Sequence, residues 1–329
     1  MVTSVLDPHI AQSLDGRRLE LIILPTEKCN FRCTYCYEDF RIGKMRPEIV
    51  TGIKNWLSTR SPELQSLYIS WFGGEPLLAL DLILEINKHA QQLIGCHTLL
   101  FKSGITTNGW LLNKSCFHQL IGSGVTDYQI TLDGPELTHD HTRRKANGFG
   151  TFAVIYDNLM IMRNSDQKFH VNLRLHLMPS NFEINKNFAV TLAEDFGADL
   201  RFDIFPHTVR NLGGPIIDRR DLFPGSQDKI VEQQITDIFY ARAKRSKPSI
   251  HGEHTFICYA AKANSFLIRP DGRIGKCTVD LYNDRNTVGF LTEDGRIEID
   301  NQKFSRWVRG LINADEHALS CPLSNIDAS

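Results

Sequence analysis

Cys29, Cys33 and Cys36 fall in "TEKCNFRCTYCYED", residues 26–39, at C-x3-C-x2-C spacing. Thiols this close are candidate metal ligands. A structural zinc ion is normally closed by four protein ligands. Residues 26–45 hold no histidine and no fourth cysteine, so zinc would need a remote ligand. A [4Fe–4S] cluster needs one ligand at each iron. Three thiolates would leave one iron open to a substrate or cofactor. Phe31 and Tyr35 alternate with the thiols and would shield a cluster from water, which tunes its potential.

Five other cysteines lie at 96, 116, 258, 277 and 321. The chain opens "MVTSVLDPHIAQSLDGRR", without an apolar segment behind a basic start, so no secretory signal is expected. No apolar run approaches the roughly 20 residues of a membrane helix. The expected compartment is the cytosol, where eight cysteines read as metal-binding or catalytic rather than as a disulfide framework. Cys96 and Cys116 sit at helix-like positions and read as buried free thiols. A net charge of −1 gives no argument for nucleic-acid or membrane partners. Hydrophobic content of 42% supports a substantial core, and 329 residues suggest two domains or one large one with an appendage.

The elements that must position these residues alternate. Strands are expected at 19–25, 67–74, 99–109, 127–134, 171–179 and 199–206. Helical periodicity fills the gaps, for example at 47–58, 78–94 and 152–165. Six such units predict α/β architecture with a parallel sheet, an open or partial (β/α)6 barrel. After 206 the texture changes to a Gly-, Pro- and Arg-rich loop, then a helix-like stretch "QDKIVEQQITDIFYARAKR". From 255 short strands and turns follow, "SFLIRPDGRIGKC" and "LTEDGRIEI" reading as hairpins. The expected division is an N-terminal segment (1–18), a barrel (19–206), a connecting loop and helix (207–250) and a small C-terminal α+β domain (251–329).

Each strand ends in a distinctive motif. The first ends in the cysteine cluster, the second in Gly73-Gly74-Glu75-Pro76, and the third in Thr106-Thr107-Asn108-Gly109. The fourth ends in Thr131-Leu132-Asp133-Gly134, the fifth in His176 to Asn181, and the sixth in Pro206-His207. C-terminal ends of parallel barrel strands share one mouth, where sites are built. Gly, Pro and Asn are also ordinary turn residues; their coincidence with the cysteine loop favours the shared mouth.

C-x3-C-x2-C with an aromatic before the last cysteine, following the first strand of a βα series, resembles the radical S-adenosylmethionine (SAM) enzymes. Gly73-Gly74-Glu75-Pro76 matches that family's "GGE" motif. The resemblance spans roughly 19–206. It implies that the open iron chelates SAM, and that one-electron reduction yields methionine and a 5′-deoxyadenosyl radical that abstracts hydrogen. It also implies that the "GGE" segment accepts hydrogen bonds from the SAM ammonium. Tyr35 would touch the adenine, partly through its backbone. Thr107 and Asn108 would supply polar contacts, and Thr131 and Asp133 would bind the ribose. Arg174 would pair with the SAM carboxylate, unless it is held in a barrel-wall salt bridge.

Cys258 and Cys277 flank "YAAKANSFLIRPDGRIGK", which resembles the opening of the SPASM or shorter Twitch extension of peptide-modifying radical SAM enzymes. A full SPASM domain has further cysteines, whereas this chain offers only Cys321. Cys258, Cys277 and Cys321 are therefore expected to hold one auxiliary iron–sulfur cluster. The implied function is a radical modification of a ribosomally made precursor peptide, forming a carbon–carbon cyclophane, ether or thioether cross-link. Asp280 is a candidate general base, or a turn residue. A flavodoxin or ferredoxin would donate electrons. The short segment before the first strand leaves leader recognition to the barrel, the 207–225 loop or a separate leader-binding protein. The alternatives are oxidation of a protein side chain, as in sulfatase maturation, small-molecule chemistry, or a non-enzymatic metal-stabilised binding module. Neither GxxxxGK[ST] nor GxGxxG is present.

Overall fold

The computed structural model describes residues 7–94, 99–213, 221–247 and 256–328. Its strands are β1 (Arg18–Ile23), β2 (Phe31–Cys33), β3 (Ser66–Trp71), β4 (Leu100–Thr107), β5 (Val125–Leu132), β6 (Arg143–Lys145), β7 (His170–Leu177), β8 (Phe202–Thr208), β9 (Ser265–Ile268), β10 (Arg273–Gly275), β11 (Gly289–Leu291) and β12 (Ile297–Ile299). The helices are α1 (Pro8–Leu14), α2 (Pro47–Arg60), α3 (Leu80–Ile94), α4 (Lys114–Gly122), α5 (Glu136–Thr142), α6 (Phe152–Arg163), α7 (Phe182–Phe196), α8 (Asp228–Ala243), α9 (Asn301–Val308), α10 (Gly310–Asn313) and α11 (Glu316–Ser320).

β1, β3, β4, β5, β7 and β8 pair in parallel, in that order, as the six-unit reading requires. The side-chain pattern of β7 shows which face the helices cover. In β7, Val171, Leu173, Leu175 and Leu177 are buried, while His170, Asn172, Arg174 and His176 are only partly covered. A parallel strand covered on both faces would be apolar throughout. Here one face meets helices and the other lines a concave interior. Helices supply the covering face: α2 buries Ile49, Val50, Ile53, Trp56 and Leu57, and α6 buries Ile155, Leu159 and Met162, at helical spacing.

The C-terminal strands do not build a sheet of their own. β9 pairs in parallel with β1, Glu20 opposite Ser265 through Ile23 opposite Ile268. β10, β11 and β12 then continue antiparallel, giving one ten-stranded sheet. The β9–β10 turn uses Pro270-Asp271-Gly272, with Gly272 at φ +89°. Sequence texture places a domain boundary at 251, yet across it the sheet continues, because β9 buries Leu267 beside Ile22 and Leu24 of the barrel. No helix among the described residues is long and apolar enough to cross a membrane.

Candidate active site

The cysteine loop leaves the end of β1. Cys29 precedes β2, Cys33 ends it, and Cys36 follows in a turn closed by Cys36 N–H to the Cys33 carbonyl at 3.2 Å. β2 is anchored by an antiparallel ladder to β6, which sets Cys33 opposite Arg143. Cys29 Sγ accepts the Phe31 N–H at 3.3 Å. Phe31 is buried in the core. All three thiols are partly covered, and burial pushes each upward, Cys36 to about 12. Bound iron would reverse that preference, because a coordinating thiol is deprotonated. Among the described residues, no three His, Cys, Asp or Glu side chains are grouped as a single ion's ligands would be. Three thiols on one short loop are a donor set that suits an iron–sulfur cluster.

The end of β3 passes tightly against this loop. A Cβ on Gly73 would stand 2.3 Å from the Thr26 carbonyl oxygen, and one on Gly74 would stand 2.6 Å from those of Glu27 and Lys28. Gly73 also takes φ +117°, so neither position admits a side chain. Glu75 departs from the expected role of ammonium acceptor. Its side chain is 0% exposed and accepts three bonds from the chain itself. Leu77 N–H and the Thr107 hydroxyl reach Oε1 at 3.0 and 2.7 Å, and Asn108 N–H reaches Oε2 at 2.8 Å. Glu75 thus ties the ends of β3 and β4 together, and Pro76 opens the short 3-10 helix Pro76–Ala79. Thr107 and Asn108 are buried in the same knot, Asn108 Nδ2 donating to Asn30 Oδ1 at 2.8 Å. Glu75→Gln is expected to turn an amide N–H against one of these donors, costing about 1–3 kcal/mol in chemical denaturation. A loss near zero would contradict this assignment.

Asp133, expected at the ribose, is also fully buried. Tyr35 donates its hydroxyl proton to the Asp133 carboxylate at 2.7 and 2.9 Å, and Thr142 donates at 2.6 Å. The Tyr35 oxygen then accepts from Arg143 at 2.8 Å and from His176 Nδ1 at 2.9 Å, which requires the Nδ1–H tautomer of His176. Burial and the Arg174 charge hold His176 down to about 3, so it is neutral. Burial alone would raise Asp133, but His176 and the Arg143 charge outweigh it and hold the carboxyl below the usual range. The Tyr35 side chain is therefore committed inward, leaving its backbone for any adenine contact.

Thr131 lies opposite Arg174 across the β5–β7 ladder. Arg174 is in no salt bridge among the described residues. Its guanidinium lies 5.8 Å from the Phe205 ring, and its Nε is buried without a partner. A cation left unpaired on the concave face suits an incoming carboxylate.

At the other end, Cys258 and Cys277 are covered and Cys321 is exposed. Each lies within electrostatic reach of the others, so the fold brings together three cysteines far apart in sequence. Cys258 N–H bonds the Leu319 carbonyl at 2.9 Å, and Cys277 N–H bonds Asn286 Oδ1 at 2.9 Å. Lys276 is 1% exposed beside Cys277, its ammonium donating to the Lys262 and Ser265 carbonyls at 2.6 and 2.5 Å. Asp280 departs from the general-base expectation. Arg285 Nε binds its carboxylate at 2.7 Å, and its carbonyl accepts Asn283 N–H in a turn. A carboxylate already held by a guanidinium is poorly placed to take a substrate proton. Cys116 is a buried free thiol, and Cys96 lies outside the described residues.

Two residues with no motif to announce them now stand at the site. Arg143 joins the cysteine loop to Tyr35. Glu38 is buried with Oε2 unpartnered, and burial, then Glu27, push it up to about 8. It stands two residues from Cys36. A cavity of about 450 Å³ opens beside Tyr35, bounded by Thr142, Met178, Asn181 and Asp221.

Comparison with known proteins agrees with this geometry. Residues 23–185 match the model of the Radical SAM superfamily. A PqqA peptide cyclase of Bradyrhizobium diazoefficiens is 27% identical over 37% of this chain and 30% of its own length. A cysteine-type anaerobic sulfatase-maturating enzyme of Clostridium perfringens is 25% identical over 54% of this chain and 50% of its own length. The chain thus spans half or less of these curated relatives. The structure of native anSMEcpe with bound AdoMet and Cp18Cys peptide superposes with TM-score 0.66 at 18% identity, over 89% of this chain and 83% of that one, which establishes the shared fold. The Radical SAM superfamily model thus matches just under half of the chain, and the matched residues carry the three-cysteine loop and four whole strands, β3, β4, β5 and β7, of the six-stranded parallel sheet.

Proposed function

We propose that this chain cleaves SAM reductively and turns the resulting radical on a peptide substrate. The observation that carries this reading is the convergence of Cys29, Cys33 and Cys36 with Gly73-Gly74 at one end of the parallel sheet. When bound there, a [4Fe–4S] cluster with one open iron holds SAM and supplies the electron that splits it. The chain's residues do the rest. Gly73 and Gly74 bring bare backbone to the ammonium, and Glu75-Pro76, Thr107 and Asn108 brace that backbone. Arg174 receives the SAM carboxylate, and Thr131 stands beside it toward the ribose. The Tyr35 backbone faces the adenine, while its hydroxyl and Asp133 hold the loop in register. Cys258, Cys277 and Cys321 would hold one auxiliary iron–sulfur cluster, which would supply an electron acceptor near the substrate.

The relatives support a peptide substrate, since one is a peptide cyclase and the solved neighbour holds a peptide. The product is a carbon–carbon, ether or thioether cross-link, with a flavodoxin- or ferredoxin-class electron donor. A second reading, oxidation of a single side chain, is favoured by likeness to the sulfatase-maturating enzyme over 54% of the chain. Mass spectrometry of a precursor peptide incubated anaerobically with protein, SAM and reductant tests both. Hydrogen loss with a fragmentation-resistant segment is expected for the cross-link. Hydrogen loss at one residue with normal fragmentation would favour the second reading, and absence of 5′-deoxyadenosine would overturn both. Iron and sulfide analysis after reconstitution is expected to give about eight irons per chain, two clusters of four; about four would remove the auxiliary cluster.

A further inference from the structure

Arg143 is a buried cation with no direct carboxylate partner among the described residues, and it stands at the cysteine loop. The residue is 7% exposed. One of its donors is used, Nη1 to the Tyr35 oxygen at 2.8 Å, whereas its Nε is buried and bonded to nothing. An unpartnered buried N–H costs free energy comparable to a lost hydrogen bond. Its position follows from the β2–β6 ladder, which seats Arg143 directly opposite Cys33, and from Thr34 N–H bonding the Thr142 carbonyl at 3.0 Å. The guanidinium also lies 5.9 Å from the Phe31 ring, so backbone and core both hold Arg143 against the Cys33 strand of the loop. Within the network Asp133 is the negative charge, but it reaches Arg143 only through Tyr35.

We propose that Arg143 donates its free Nε–H to the sulfur of the Cys33-ligated cluster and, by its charge, makes that cluster easier to reduce. The inference rests on the reading of Cys29, Cys33 and Cys36 as cluster ligands. Thiolate ligands make the cluster anionic, and the electron that must enter adds further negative charge. A fixed cation and a hydrogen bond to sulfur, in a site of low dielectric, stabilise the reduced form more than the oxidised one. Tyr35 keeps the guanidinium from swinging toward Asp133, so the donor stays with the cluster.

The experiment is an EPR-monitored redox titration of reconstituted full-length protein, following the reduced-cluster signal that changes when SAM is added. In Arg143→Gln, at wild-type iron content, reduction is expected to become at least tenfold less favourable, about 59 mV lower for one electron. In Arg143→Lys, one ammonium replaces two separate donors, so a smaller shift of the same sign is expected. An Arg143→Gln protein that keeps its iron and titrates with wild type overturns the proposal. Should Arg143→Gln fail to retain iron, Arg143→Lys decides: a lowered potential supports the proposal and an unchanged one overturns it. Failure of the underlying reading looks different, because Cys29→Ala would then keep the SAM-responsive signal.

Discussion

Cys33→Ala is expected to remove about four irons per chain and leave no detectable 5′-deoxyadenosine, while the protein stays folded. The backbone of β2 is held to β6 by its ladder, and that pairing does not involve the Cys33 side chain. What would disappear is one of three thiolates in the proposed ligand set, which by itself leaves one iron to SAM. Cys116→Ala is the matched control. That thiol is buried and sits on α4 against the core. Its replacement should cost about 1 kcal/mol and leave the iron content unchanged. Iron analysis and product chromatography on the two variants check the pair. A Cys33→Ala protein with full iron and normal SAM cleavage would move the cluster elsewhere in the chain.

Arg269→Ala is expected to destabilise the protein by about 3–5 kcal/mol. Arg269 and Glu27 form a bidentate ion pair at 2.7 and 3.0 Å, with side chains 3% and 0% exposed. Arg269 Nη1 also donates to the Leu281 carbonyl at 2.7 Å. Removing the guanidinium leaves the Glu27 charge buried without compensation, which costs far more than the pair contributes when intact. The pair also links the two halves of the site. Glu27 lies two residues before Cys29, and its carbonyl packs on Gly74. Arg269 ends the β9 side of the β9–β10 hairpin, whose far strand leads to Cys277. Loss of stability should therefore come with loss of iron from both cysteine sets. Urea denaturation at neutral pH measures the first and iron analysis the second. A double variant, Glu27→Leu with Arg269→Met, should recover much of the stability, because no charge is then stranded. A single variant within 1 kcal/mol of wild type would show that the pair is solvated rather than buried.

The six barrel strands could be read to within a few residues because each is an aliphatic, β-branched run, as in "LELIILP" and "VNLRLHLMP". β2 and β6 could not. "FRC" and "RRK" are three-residue strands rich in charge, and only their mutual pairing makes them strands. The addition of β9 to the barrel edge was likewise invisible, since "SFLI" reads equally well as half of a free-standing hairpin. At the site, the cysteines and Gly73-Gly74 were legible because their chemistry is local: thiols at fixed spacing, and a backbone that excludes side chains. Glu75, Asp133 and Asp280 were legible as residues but not as roles. A carboxylate's role depends on which donors reach it, and here they come from Asn108, Tyr35 and Arg285.

Sequence alone was enough to specify the thiol loop, the glycine pair, the six βα units and three more cysteines near the C-terminal end. Short-range spacing and hydrophobic period encode all of these. The assignment of Arg143 to the loop, across 108 positions to Tyr35, came from the fold, whereas the grouping of Cys258, Cys277 and Cys321 was already expected from the resemblance. Burial decides which charges must find partners, and burial exists only once the chain has folded around them.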